Sequence, residues 1–411
     1  MNEKLLSKIA KKYDTPLFLF DIDALQERMR NIKQIVGNKI HLCYAMKANP
    51  FLVRGMDPCV EKFEVCSPGE LSICENLNID MNKVILSGVN KTHQDLIQAT
   101  NDNVSLYTAE SLLHVTLINE IGNKNNIQYP VILRLNSGSQ FGMSKTDLIS
   151  VIKNRAAYKG IKILGLHYFV GTQRKKLNRQ IEELKMLKDL IVELKSDYNF
   201  IVQKLEYGPG LPVSYFTKDS FEDTLAPLKE ITPILKDISK LTEVTIEMGR
   251  FFTAYCGYYI TKVMDTKTVP STKTESSPST DIHYAIVDGG INHVNYIGQN
   301  MGMNIPIISH FATTDEHATS DLNSAIKPWM LCGSLCTTAD VLVRKIDMKN
   351  LNINDILVFH NIGAYSITEG LNLFLSRKLP DVLFYQNKKC IFARKNKESY
   401  LMNLIKDGEK N

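Results

Sequence analysis

Between residues 39 and 250, apolar runs of five or six residues alternate with longer stretches whose apolar positions recur every three or four residues. A short run buried on both faces reads as a parallel strand, and a three-to-four spacing reads as one face of a helix. The strand-like runs are 41–46, 62–66, 84–88, 105–109, 131–135, 163–168, 204–208 and 244–248. Helical patterns fall between them, among others at 70–77, 110–121, 174–194 and 221–241. Eight strand-helix repeats in this space predict a closed (β/α)8 TIM barrel over residues 25–250. Beyond Arg250 the helical spacing gives way to further strand-like runs at 255–264, 283–288, 339–343, 356–360 and 382–385. Residues 251–411 therefore read as an all-β domain, and 1–24 join it through a strand at 17–20. The Ser-, Thr-, Lys- and Pro-rich stretch 266–281 reads as an exposed loop, and the polar end 395–411 as fraying.

With 411 residues, 44% apolar and 23% charged, the chain has the composition of a globular enzyme of two domains. Its formal charge of +5 is too small for a dedicated nucleic-acid binder, but leaves room for an acidic small molecule or partner. No apolar run reaches the length of a membrane span, and the N-terminus carries too many charges for a signal peptide. The eight cysteines show no CxxC pair and no metal-ligand spacing, so reduced thiols, a cytoplasmic location and no metal are expected.

In a TIM barrel the chemistry gathers just past the C-terminal ends of the strands, with phosphate commonly held after the seventh and eighth. The first strand runs into Tyr44-Ala-Met-Lys47-Ala-Asn49, where an amine following an apolar run would be desolvated toward a nucleophile. The seventh runs into Gly208-Pro-Gly210, whose backbone N–H groups can approach a phosphate. The eighth ends in Glu247-Met-Gly249-Arg250. Each fragment alone has an ordinary reading: a lysine reaching for solvent, a turn, a surface ion pair. Together they make one cofactor site with a Schiff-base lysine and a phosphate nest.

These motifs resemble those of the fold-type III pyridoxal-5′-phosphate (PLP) enzymes, the alanine-racemase-like group that includes diaminopimelate and ornithine decarboxylases. The likeness extends through Phe63-Glu64-Val-Cys-Ser67-Pro-Gly-Glu70, Arg134-Leu-Asn136, Gln140-Phe-Gly142, His167-Tyr-Phe169-Val-Gly-Thr172, Val287-Asp-Gly-Gly290, Gly333-Ser-Leu-Cys336-Thr337-Thr-Ala-Asp340 and Gly363-Ala-Tyr365, in family order. It implies an α/β barrel that binds PLP, followed by a C-terminal β-sandwich or β-barrel domain. By similarity Lys47 carries the cofactor, Glu247 pairs with its pyridinium nitrogen, and Glu64, Arg134 and Phe169 belong to the cofactor pocket. Thr172, Gly208, Gly210, Gly249, Arg250 and Tyr365 would hold the phosphate, with Arg250 and Tyr365 shared with substrate. Cys336 matches the thiol that protonates the product-forming carbon and reaches the site from the opposite subunit, so a homodimer with composite sites is implied. A carboxylate on the pyridinium nitrogen makes a stronger electron sink than the arginine of alanine racemase, and favours decarboxylation over racemisation.

Three departures stand out. The family histidine that stacks on the cofactor is Phe169, the glycine-rich loop has become Gly208-Pro-Gly-Leu-Pro212, and the lysine that would pair with Asp340 across the dimer is Gln140. The residue after the thiol, acidic in ornithine and diaminopimelate decarboxylases, is Thr337, which cannot compensate a buried substrate ammonium. Thr337 and Asp340 would line the substrate side, and the Gly-, Asn- and Met-rich stretch 292–309 reads as an adaptable lid. These features are similar to those of specialised branches that decarboxylate a carrier-protein-bound amino acid or an amino-acid–citrate conjugate. A diaminopimelate decarboxylase is the alternative, with a racemase or a non-catalytic regulatory homologue behind it.

Overall fold

The computed structural model describes residues 1–219, 222–270, 281–296, 304–313 and 326–405. The core of the 266–281 loop, most of the expected lid's 297–303 stretch and the terminal 406–411 lie outside the described residues. The chain divides into two compact units: Leu25–Val213 with Asp223–Phe252, and Met1–Ala24 with Ser214–Glu222 and Thr253–Asn411.

The first unit is a closed barrel of eight parallel strands, β2–β9, following an N-terminal strand β1 (Leu17–Asp21) that belongs to the other unit. They are β2 (Ile40–Ala45), β3 (Lys62–Val65), β4 (Val84–Leu86), β5 (Leu106–Ala109), β6 (Tyr129–Arg134), β7 (Ile161–Phe169), β8 (Lys204–Gly208) and β9 (Glu243–Met248). Each of the eight expected runs is found within a few residues, and β9 closes on β2 with Cys43 opposite Glu247. Residues two apart share a face of a strand. One such set, Cys43, Ile85, Leu106, Ile132 and Leu164, forms an apolar layer. On the barrel's strands Glu64, Arg134, His167 and Glu247 are polar yet buried, Glu64 opposite Ile85 and Glu247 opposite Cys43.

Short polar residues start the helices that leave this end. The Ser67 hydroxyl accepts the Glu70 N–H at the start of Pro68–Asn76, and Thr92 and Asp95 form a capping box on His93–Asn101. The Glu70 carboxylate also takes the Cys66 N–H at 2.7 Å, which fixes the chain where β3 ends.

In the second unit β1 lies antiparallel to β10 (Gly257–Val269) and parallel to β16 (Asp381–Gln386), so the N-terminal strand does join this domain. The main sheet runs β14-β13-β11-β10-β1-β16-β17, with β15 bridging β10 and β12. The remaining members are β11 (Ile282–Val287), β12 (Ile308–Phe311), β13 (Lys327–Cys332), β14 (Val341–Met348), β15 (Ile356–His360) and β17 (Lys389–Arg394). Two of these, β12 and β17, lack a clear alternation in sequence because their residues are half-buried or exposed on both faces, while β13 buries only Trp329 and Leu331. Residues 266–269, expected in a loop, extend β10 through pairing with β11. The unit is not purely β. Helix Glu3–Ala10 buries Leu6, Ile9 and Ala10 against Leu17, Leu19, Ile260, Val358 and Leu383.

Candidate active site

At the end of β2 a 3-10 turn, Met46–Ala48, carries Lys47. The Lys47 Nζ donates to Glu64 Oε2 at 2.6 Å, and lies 3.5 Å from Glu247 Oε1 and 3.7 Å from Cys66 Sγ. The surroundings of the amine are therefore not apolar, as the sequence implied. Lys47 sits between two buried carboxylates, with 38% of its own side chain exposed. Burial and the charge of Glu247 push the Glu64 carboxyl up, against the pull of Lys47.

Glu247 is oriented from behind. His167 Nε2 lies 3.1 Å from Glu247 Oε2, and His167 is 1% exposed. Burial, reinforced by Arg134, lowers the imidazole to about 3, so it is neutral at physiological pH. A neutral ring serves a carboxylate only when Nε2 carries the proton, which leaves Nδ1 bare; among the described residues Nδ1 has no partner. One oxygen of Glu247 is thus held by a neutral donor and the other faces Lys47. Sequence reading passed over His167 as a motif neighbour; its signal was its position two residues before Phe169, on the same face of β7.

Arg134 forms an ion pair with Glu110, and its guanidinium lies 4.9 Å from the Phe141 ring centroid and 6.0 Å from that of Phe169. Phe169 pairs with Gly208 across β7 and β8, and a Cβ on Gly208 would come within 2.4 Å of the Phe169 ring. Gly208 is therefore required by the phenylalanine that replaces the expected histidine.

The loops after β7 and β8 are tied together. Gln173 accepts from Val213 N at 2.7 Å and donates to Val213 O at 3.0 Å, and Arg174 N donates to Gly210 O at 2.9 Å. Gly210 adopts φ +61°, and any Cβ there would strike Gly171 O. Gly249 is equally confined, with Ala48 Cβ 2.6 Å from where its own Cβ would stand. Arg250 Nε donates to Thr172 Oγ1 at 3.3 Å. Gly208, Gly210, Gly249, Thr172 and Arg250 thus stand at the ends of β7, β8 and β9 and on the loops that leave them, where glycines let backbone approach closely, as a phosphate site needs. These residues, with the oriented Glu247 and Lys47, fit PLP. Atoms of Glu64, His167 and Glu247 lie within 4.8 Å of one another, close enough for a divalent cation, but these groups are already engaged with one another and with Lys47.

Also buried in the barrel is Glu206, which sequence reading also missed, although it stands two residues before Gly208 on β8. It is 2% exposed, and among the described residues only the Cys43 thiol stands within hydrogen-bonding reach of its carboxyl. Burial, then the charges of Glu247 and Glu64, push it well above the usual carboxylate range, so the folded protein retains a proton that the unfolded chain releases. A raised folded pKa contributes stability that is complete at low pH and is lost as pH rises toward the folded value. Glu206→Gln removes this loss. Its melting temperature relative to the parent should rise between pH 5 and pH 8, each 1 kcal/mol reading as roughly 2–4 °C. A difference independent of pH would show that Glu206 titrates normally.

The second unit holds the remaining expected residues. Cys336 is exposed and Thr337 lies beside it, on a turn where Thr337 N donates to Leu335 O. Asp340, expected at the substrate, is corrected by the structure. It is 3% exposed, with Oδ1 accepting from Ile291 N at 2.8 Å and Oδ2 from Leu335 N at 2.7 Å. Its carboxylate shapes the turn that carries Cys336, consistent with Gln140 in place of a cationic partner; Gln140 is itself exposed. Tyr365 takes φ +66°, rare for a bulky side chain, and its carbonyl accepts from Thr368 N and Glu369 N. All eight cysteines are free, and no described helix is long and apolar enough to cross a membrane.

Comparison with known proteins places this arrangement. The family "Pyridoxal-dependent decarboxylase, pyridoxal binding domain" matches residues 22–254. The chain is 24% identical to the L-glutamyl-[BtrI acyl-carrier protein] decarboxylase of Niallia circulans, over 94% of this chain and 92% of that protein. It is also 24% identical to the 2-[(L-alanin-3-ylcarbamoyl)methyl]-2-hydroxybutanedioate decarboxylase of Staphylococcus aureus, over 90% and 94% of the two chains. The crystal structure of diaminopimelate decarboxylase from Methanocaldococcus jannaschii shares the fold with a TM-score of 0.83 at 21% identity, covering 98% and 94%. With Lys47, Glu247 and a glycine cradle at the mouth of the barrel, the chain belongs to the pyridoxal-dependent decarboxylases, PLP enzymes that release CO₂ from amino acids.

Proposed function

We propose that this decarboxylase acts on an α-amino acid already joined to a larger group, a carrier protein or a citrate-like acid, rather than on a free diamino acid. The observation that carries this reading is Thr337. Beside Cys336 the chain presents a hydroxyl and no carboxylate, while Asp340, the nearest acidic residue along the chain, is spent on two backbone N–H groups. A distal substrate ammonium would find no charged partner on this turn. Two of the similar proteins carry such conjugates in their names, one a carrier-protein-bound glutamyl group and one a substituted hydroxybutanedioate.

When bound, PLP supplies an electron sink for the pair left behind as CO₂ departs. The chain's own residues do the rest. Lys47 tethers the cofactor, and the glycine cradle with Thr172 and Arg250 anchors the phosphate end. His167 holds one oxygen of Glu247, the residue that would pair with the ring nitrogen, and Phe169 would supply an apolar face without a hydrogen bond. Cys336 delivers a proton to the carbon that lost CO₂. It is exposed on its own domain, which suits a thiol that completes the barrel site of a partner subunit in a homodimer.

The test is CO₂ release from a panel of free and conjugated amino acids. Free lysine, ornithine and diaminopimelate are expected to react about ten- to a hundredfold less efficiently than a conjugate, the worth of a missing charged hydrogen bond of about 1.5–3 kcal/mol. Thr337→Glu should shift the preference toward diamino acids. Efficient turnover of free meso-diaminopimelate by the parent enzyme would overturn this reading in favour of a diaminopimelate decarboxylase.

A further inference from the structure

Away from the barrel, in the second unit, helix Glu3–Ala10 and the β16–β17 hairpin enclose a cavity of about 380 Å³. Four lysines line it: Lys8 and Lys12 from the helix side, Lys388 and Lys389 from the hairpin turn. No carboxylate lines it, and none of the four has an ion-pair partner among the described residues. This clustering differs from the setting of Lys33, Lys83, Lys145, Lys188, Lys204, Lys229 and Lys378, each of which meets an Asp or Glu within 3 Å. The local sequence reinforces the contrast, since residues 382–397 contain five basic side chains and no acidic one.

The turn is held in a costly shape. Asn387 and Lys388 take φ +51° and +61°, the pair of left-handed residues of a tight hairpin. Asparagine tolerates this, but the second position is ordinarily glycine, and a lysine there costs about 1 kcal/mol. The Asn387 N–H donates to Asp23 Oδ2 at 2.9 Å, which pins the turn. Both Lys388 and Lys389, on or beside this turn, line the cavity. The floor beneath is apolar, formed by Leu5, Ile9 and Cys390, with Tyr13 and Tyr385 beside it. A concave pocket of a few hundred Å³ with an apolar floor and a few converging charges fits a small ligand rather than a flat protein surface.

We propose that this pocket binds a small organic polyanion with a flat apolar body, of which a nucleoside diphosphate is the type. The lysines would take the phosphates as point charges, and the tyrosines and aliphatic floor would take the base and sugar. The site is separate from the cofactor cradle and does not depend on the substrate reading above.

The experiment is equilibrium titration of the PLP-loaded enzyme with ADP, pyrophosphate and adenosine, so that the phosphate cradle of the barrel is already filled. ADP is expected to bind saturably and about tenfold more tightly than pyrophosphate, and adenosine not measurably, with ADP affinity falling as salt is raised. Lys388→Glu/Lys389→Glu should weaken ADP about tenfold or more, and Lys388→Gln/Lys389→Gln by less, while the bound-cofactor absorbance and the melting temperature remain those of the parent. Absence of saturable ADP binding, or binding indifferent to the charge reversal, would overturn the proposal. So would equal affinity for ADP and pyrophosphate, since the apolar floor would then have no part in recognition.

Discussion

Lys47→Ala is expected to yield a folded protein that shows no visible absorbance of lysine-bound pyridoxal and releases CO₂ at least about a thousandfold more slowly than the parent. The expectation follows from placement. Lys47 stands on the turn that ends β2, its amine within reach of both Glu64 and Glu247 and its side chain open to an entering cofactor. A rival amine exists in the same barrel. Lys91 is 5% exposed, and burial lowers it to about 8, a value suited to a nucleophile. Its Nζ, however, is bound to the carbonyl oxygens of Ser87 and Gly88 and braces the chain after β4. Lys91→Met should therefore keep the absorbance of bound pyridoxal. If borohydride still fixed the cofactor in Lys47→Ala, and the labelled peptide contained Lys91, the assignment of Lys47 would be wrong.

Mixing two inactive proteins, Lys47→Ala and Cys336→Ala, is expected to restore activity to about a quarter of the parent value at equal amounts and full exchange. Half of the dimers would then be mixed, and each mixed dimer would contain one of its two sites with both groups intact. The proposal beneath this number is that the Cys336 thiol serves the barrel of its partner. It rests on the exposure of Cys336 and its place on a turn shaped by the buried Asp340, while the thiol 3.7 Å from Lys47 Nζ is that of Cys66. Cys66 is a poor substitute donor or nucleophile on its own account, because burial and the charge of Glu64 push its thiol well above the ordinary range. Full exchange of subunits, shown by a mass-tagged partner, with no recovery of CO₂ release would place Cys336 in its own subunit's site or outside the chemistry.

How far the sequence reaches differs between the two units. The barrel was legible because its strands are buried on both faces, so each reads as a mostly apolar run even where it carries a buried Glu64, Arg134, His167, Glu206 or Glu247, and the helices between them repeat a longer period. The cofactor residues were legible because each sits at a strand end within a contiguous motif: Lys47 after β2, Gly208 and Gly210 after β8, Glu247 to Arg250 at the close of β9. In the second unit β12 and β17 have no buried face and leave no periodic trace, and β13 buries only Trp329 and Leu331, too few to display a period. The helix Glu3–Ala10 went unread for a related reason, as eight residues hold too few turns to display their period among so many lysines.

The order of residues was enough for the fold class and the PLP-dependent chemistry, and it singled out the lysine, glycines and carboxylate proposed to serve it, because these depend on local order along the chain. Only the tertiary structure decided which polar residues converge. The pairing of β7, β8 and β9 brings His167 behind Glu247 and leaves Glu206 buried with only the Cys43 thiol at hand, and residues far apart in sequence meet there through register alone. The same holds for Asp340, which reads as a substrate contact in its motif until the fold brings the N–H of Ile291, about fifty residues earlier, onto its carboxylate. Hydrogen-bond partners are chosen by proximity in space, and a buried carboxylate takes whatever donors the packing delivers.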